Sequence, residues 1–239
     1  MKALITTLTT LFILTGCGSD VIVNPDPNTK TLEIDFNQGI NDWKSGFADY
    51  PVGQETFYEL SASHTMLPSE LGTNRKGFRI SGNNHSDDLF MFITKRVHGL
   101  EPNTRYDFEF ELNIGSNAKK GCLGVGGAPG EGVTLKAGAS KTEPKAENNG
   151  SGWYLMNIDK GNQSIGGSDA IVLGDFANSR DCEVNNDSYL KKTLRNTKGS
   201  FSAYSATDGS VWILFGTDSG FEATTTIYYL SAKVVATKR

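Results

Sequence analysis

Between Thr104 and Ile114 the chain reads TRYDFEFELNI: Tyr106, Phe108, Phe110 and Leu112 alternate with Asp107, Glu109, Glu111 and Asn113. A period of two puts the first set on one face of a strand and the second on the other, so one side is core and the other solvent. Thr31–Phe36 and Lys76–Gly82 repeat the alternation, and Asp88–Val97 (DLFMFITKRV) is a further strand candidate. Gly46–Ser61, rich in Phe47, Tyr50, Phe57 and Tyr58, reads as a strand or strand pair. Trp153–Ile158 and Ala170–Leu173 resume strand character, and Ser210–Phe215 with Thr224–Ala236 form a closing pair. No window shows a 3.6-residue period with caps at both ends, and no fixed-period repeat is present. Short strands separated by Gly- and Asn-rich turns predict an all-β sandwich, with residues 31–239 as a single domain. Thirteen Phe, eight Tyr and three Trp supply the surface that such a core must bury.

Two segments depart from that pattern. Gly115–Gly150 is glycine-rich and predicts a long loop excursion, with only Val133–Lys136 as a short strand inside it. Phe176–Ser200 is polar and holds Cys182, so a disulfide to Cys122 would order it. Such a bridge closes a loop of about 60 residues and restricts the unfolded chain by roughly 4 kcal/mol on the loop-entropy model.

The amino terminus gives an address. Lys2, the apolar run Ala3–Leu14 and the small residues Thr15-Gly16 form a secretory signal, too short to span a bilayer. Leu14-Thr15-Gly16-Cys17 resembles the lipobox of bacterial lipoproteins. That resemblance implies that residues 1–16 are removed, that Cys17 is acylated, and that residues 17–30 form a lipidated tether. Gly18 after the cysteine is similar to the pattern of outer-membrane-sorted lipoproteins, so an outer-membrane anchor is expected in preference to the inner membrane. In an exported chain the pair Cys122 and Cys182 is expected as a disulfide. The net charge of −4 and the lack of a basic cluster argue against nucleic acid as a partner.

Candidate chemistry is sparse. Gly124-Val-Gly126-Gly127 lacks the Gly-Lys-Ser/Thr ending of a phosphate-binding loop, and His64, His85 and His98 have no zinc-ligand spacing. Acidic and amide clusters offer hard oxygen ligands on loops, with Asp87, Asp88, Asp218 and Glu222 as candidates for a structural calcium. The same four are the candidate acid and base if the chain is a polysaccharide hydrolase or lyase. Trp43 and Trp153, with Asp159 and Asn162, are candidate glycan contacts, because sugars are held by ring stacking and directed hydrogen bonds.

The strand ending Asp35-Phe36, the following Gly39 and Trp43, the GLEPNTRYDFEFEL strand and the closing IYYLSAKVV together resemble the jelly-roll sandwich of carbohydrate-binding and galactose-binding-like modules. The resemblance implies a leading and a last strand paired near a calcium, and a ligand on a concave face or at loop tips. Such modules often carry an Asp-Asn pair where this chain has Leu230-Ser231. The expectation is a membrane-anchored glycan-binding lipoprotein; a polysaccharide-acting enzyme and an envelope protein that contacts other proteins are the alternatives.

Overall fold

The computed structural model describes residues 21–23 and 27–239. Its strands run, in chain order, β1 (Val21–Val23), β2 (Thr29–Asp35), β3 (Lys44–Ala48), β4 (Tyr50–Pro51), β5 (Ser61–Met66), β6 (Lys76–Asn83), β7 (Leu89–Val97) and β8 (Arg105–Ser116). They continue with β9 (Val133–Ser140), β10 (Ala146–Asn148), β11 (Trp153–Met156), β12 (Ala170–Asp175), β13 (Leu190–Arg195), β14 (Ser202–Tyr204), β15 (Val211–Ser219) and β16 (Thr224–Lys238). One 3₁₀ turn, Ser69–Leu71, is the only helical element among the described residues.

The chain is an all-β sandwich of antiparallel sheets. In the larger sheet the long strand β16 is central: β6 and β2 pair along one edge and β8 along the other, and β8 in turn carries β13 and β14. The opposing sheet has the order β12-β9-β15-β7-β3, and a small third sheet has the order β10-β11-β4. Alternation explains the inner faces. Tyr106, Phe108, Phe110 and Leu112 of β8 are buried against Leu89, Met91 and Ile93 of β7 and Ile213 and Phe215 of β15.

The opposing sheet is covered on both sides, and this is what shapes the candidate site. Phe90 and Phe92 point away from the inter-sheet core, where they form a second apolar cluster with Ala48, Leu214, Ile158 and Ala170. Ala146 and Met156, from the small sheet, pack onto it. A strand with both faces buried reads as a continuous apolar run, as β7 does.

Three stretches differ from expectation. The strand expected over Val133–Lys136 extends to Ser140, is buried at every position, and lies between β12 and β15. Gly138 permits this: a Cβ there would collide with the Asp169 carbonyl oxygen of the loop lying across it. The polar stretch Phe176–Ser200 contains β13, which pairs with β8 from Leu190 to Arg195. Within the segment expected as a tether, Val21–Val23 pairs with Thr31–Glu33 at the edge of β2. The signal segment and Cys17 lie outside the described residues. Cys122 and Cys182 form a disulfide that ties the glycine-rich loop after β8 to the segment before β13.

Candidate functional site

Five charged side chains converge on the outer face of the opposing sheet. Asp218 stands on β15 and Lys136 on the neighbouring β9. The register pairs Lys136 with Gly216 and Asp218 with Thr134, so the two side chains are diagonal neighbours on one face. Asp88 enters at the start of β7 and Asp49 at the corner between β3 and β4, where its φ is +64°. Lys160 arrives from the loop after β11.

The contacts are short and dry. Lys136 Nζ donates to Asp218 Oδ2 at 2.7 Å and to the backbone oxygens of Lys160 at 2.9 Å and Ile165 at 3.0 Å. Lys160 Nζ lies 2.9 Å from Asp218 Oδ2 and 2.9 Å from Asp49 Oδ2, and 4.9 Å from the Phe90 ring centroid. The side chains of Lys136 and Asp218 are both 0% exposed.

Three carboxylates against two ammonium groups leave one negative charge over, an expensive residue in a buried site. A proton removes it. Burial, reinforced by the negative charge of Asp218, pushes the Asp88 carboxyl up to about 7, and an oxygen of each carboxyl lies within 4.8 Å of the other. Neither Asp88 Oδ1 nor Asp218 Oδ1 has an N–H or hydroxyl donor, so a proton between the two carboxyls is what satisfies them. Burial also raises the Asp49 carboxyl, against the opposing pull of Lys160. The two lysines diverge. Burial pulls the Lys136 ammonium below the ordinary lysine value, despite Asp218. Lys160 is pulled down by burial too, but Asp218 and Asp49 together outweigh it and hold it above.

Of the four carboxylates singled out in the sequence, Asp88 and Asp218 meet. Asp87 is exposed on the loop, where its backbone oxygen accepts from Gln163 Nε2 at 2.8 Å. Glu222 sits beside Gly126, in the glycine-rich loop. The third carboxylate is Asp49, and ligand oxygens of Asp49, Asp88 and Asp218 lie within 4.8 Å of one another. This donor set does not fit calcium, which takes six to eight oxygens, because two ammonium groups already occupy the Asp218 and Asp49 oxygens at 2.7–2.9 Å.

The expected glycan contacts do not share a surface. Trp43 is 3% exposed and stacks on Phe215 in the inter-sheet core, so a ligand would reach it only by opening that core. Asp159 accepts from the backbone N–H groups of Gly161 at 3.0 Å and Ser168 at 2.8 Å. These bonds, Ser168 first, hold its carboxyl below the usual range. Asn162 accepts from the N–H of Ile165 at 2.8 Å through its backbone oxygen. Asp159 and Asn162 thus organise the loop that carries Lys160 inward. Trp153 is 37% exposed on β11, and alternation sends it to the opposite face of the small sheet from Tyr154.

A different aromatic surface lies beside the charge cluster. Tyr154 and Tyr50 are 5.3 Å apart between ring centroids, Tyr50 and Tyr58 5.6 Å, and Tyr58 and Phe57 5.9 Å. Phe57 stacks on His85 at 4.1 Å with an interplanar angle of 24°. The turn Gln54–Leu60 presents it, fixed by Tyr58 N–H to Gln54 and Leu60 N–H to Glu55. Tyr58 is buried, while Phe57 is 57% exposed. Polar groups ring this ledge. Tyr50 Oη donates to Glu55 Oε1 at 3.5 Å, and Asn83 Nδ2 donates to Glu59 Oε1 at 3.3 Å. Burial, with Glu55 and Tyr154, pushes the Tyr50 phenol up to about 12, so it stays a donor at neutral pH. The sequence signal for the ledge was the aromatic density of Gly46–Ser61; the contribution of His85, from a distant loop, was not visible.

No family model matches the chain, and no curated protein matches it in sequence. Among solved structures it is similar to the CBM22-1 xylan-binding domain of Paenibacillus barcinonensis Xyn10C, with 11% identity over 87% of this chain and 94% of that one, TM-score 0.39. It is also similar to TmCBM61 in complex with beta-1,4-galactotriose, with 9% identity over 84% and 92% of the chains and TM-score 0.35. The enzymatically active domain of bacteriophage CBA120 tailspike protein 4 gives 11% identity over 86% of this chain, TM-score 0.34, and this chain spans 20% of its length. Likeness of this degree carries no assignment of ligand.

Proposed function

We propose that this chain is a glycan-binding β-sandwich whose contact surface is the ledge of Phe57 and His85. The observation that carries the reading is the pairing of an exposed flat ring with directed polar groups. Phe57 is 57% exposed and backed by the stacked His85 ring. Glu55 and Glu59 flank it in the same turn, with Asn83 bonded to Glu59, and offer groups to bond the hydroxyls of a sugar whose apolar face lies on the ring. Asp218, a candidate acid or base from the sequence, is 0% exposed and so does not flank a scissile bond at this surface. Binding without cleavage is the activity this geometry supports. In the same reading the domain is held at the outer membrane through acylated Cys17 and meets its glycan at the envelope surface.

A panel of immobilised oligosaccharides tests the first part, with binding expected for at least one class and cleavage products for none. A panel without a single binder contradicts the reading and favours a protein partner. Fractionation tests the anchor: a Cys17→Ser variant is expected to leave the membrane fraction, and its retention there overturns the anchor.

A further inference from the structure

We propose that Lys136 and Asp218 become joined, within the folded chain, by an amide bond between Lys136 Nζ and Asp218 Cγ, which staples β9 to β15. The geometry is that of a nucleophile already in place. Lys136 Nζ is 2.7 Å from Asp218 Oδ2, and both side chains are 0% exposed. Two of its N–H bonds are engaged by the backbone oxygens of Lys160 and Ile165 at 2.9 and 3.0 Å. When the third proton leaves, the lone pair it uncovers points at the Asp218 carboxyl. Contacts of this length with fixed orientation are what turn a slow bimolecular reaction into a fast intramolecular one.

The neighbours supply the remaining parts. Lys160 Nζ, at 2.9 Å, donates to the same Asp218 Oδ2 and stabilises negative charge that develops there when nitrogen adds to Cγ. Asp88, whose carboxyl oxygen lies within 4.8 Å of an Asp218 oxygen, supplies an acid proton. The divergence of the two lysines assigns the roles: the amine that burial favours in its neutral form is Lys136, and the one held charged is Lys160.

The step balances without an external reagent. The Lys136 ammonium passes one proton to the Asp218 carboxylate. The neutral amine adds to Cγ, forming the C–N bond and a tetrahedral intermediate. Asp88 protonates the departing hydroxyl and regains a proton from the nitrogen, the C–O bond breaks, and one water leaves. The product removes one positive and one negative charge from a buried site, and the exclusion of water disfavours the reverse reaction. The inference rests on the buried cluster alone and is independent of the glycan reading.

Tryptic mapping of the full chain after reduction and denaturation tests it. A free Lys136 is cut, giving 121–136 and 199–233 as separate peptides. A linked Lys136 resists trypsin, so the expected product is 121–141 joined to 199–233, lighter by one water than the two peptides together. Lys136→Arg is expected to give only separate peptides, and Asp88→Asn to retain the fold and lose the link. Separate, full-mass peptides from the natural chain overturn the proposal. So does a link through Lys160, and an Asp88→Asn chain that still forms the link removes Asp88 from the chemistry.

Discussion

The buried charge cluster and the exposed ledge share two pieces of backbone and almost nothing else. Asp49 and Tyr50 are consecutive, yet alternation sends the carboxylate to Lys160 and the ring to Tyr58 and Tyr154. The loop between β6 and β7 divides likewise, with His85 stacked on Phe57 at the surface and Asp88 beside Asp218 below it. Ser86 clips the two pieces together, its Oγ donating to the Asp49 backbone oxygen at 3.0 Å. The difference lies in water. In the cluster Lys136, Asp218, Lys160 and Asp49 are at most 10% exposed, so removing one partner strands another. At the outer edge of the ledge Phe57, Glu55 and Glu59 face water, so removing one costs the fold little and a ligand much. Stability and binding should therefore respond to opposite sets of substitutions.

The largest effect on stability is expected from Asp218→Ala. It leaves Lys136 and Lys160 facing each other without the carboxylate between them, at a cost of about 3–5 kcal/mol. Urea unfolding measures this, and a loss under about 1 kcal/mol would show that the cluster relaxes as readily as a surface site.

A pH effect follows from Asp88 while Asp218 remains a free carboxylate. Its folded value of about 7 exceeds the ordinary 3.8, so the folded chain holds a proton that the unfolded chain releases. This contribution is fully present below about 4, declines as pH rises towards about 7, and is gone above it. The slope of melting temperature across that window should flatten in Asp88→Asn. A slope unchanged by the substitution would place the proton elsewhere.

Smaller still is Asp159→Ala, which removes two backbone bonds from an exposed loop at a cost of at most about 1 kcal/mol. It should raise hydrogen exchange in the 157–169 loop, and unaltered exchange there would separate that loop from the placement of Lys160. Phe57→Ala closes the series, with stability expected to change by no more than about 0.5 kcal/mol.

What the sequence disclosed follows the same division. The alternation of β8 reads directly because one face meets the core and the other water. β9 was half-hidden because a distant loop covers its outer face, so that Lys136 has the look of a solvent-facing residue and Gly138 that of a turn. Asp88 and Asp218 are distant in sequence and are joined by the pairing of β7 with β15, where Asp218 faces Phe90 and Ser219 faces Leu89. Acid-rich loops flagged both, but neither periodicity nor spacing separates Asp88, which turns in, from Asp87, which stays out. The aromatics misled for a physical reason. Trp43 interrupts strand alternation as a surface ring would, yet it fills the core between Phe36 and Phe215. Phe57 precedes Tyr58 in no visible pattern, and its exposure is fixed by the turn around it. The Cys122–Cys182 bridge was legible because setting Cys17 aside as the expected acylation site leaves one possible pair, whatever the topology.

The central claim is that binding resides on the ledge and not in the cluster beneath it. Calorimetric titration of the natural chain and of Phe57→Ala with one oligosaccharide that binds, alongside their melting temperatures, tests it most directly. The account predicts affinity weakened about tenfold or more, equivalent to about 1.4 kcal/mol, with the melting temperature unchanged. Equal affinity in the two chains would contradict it.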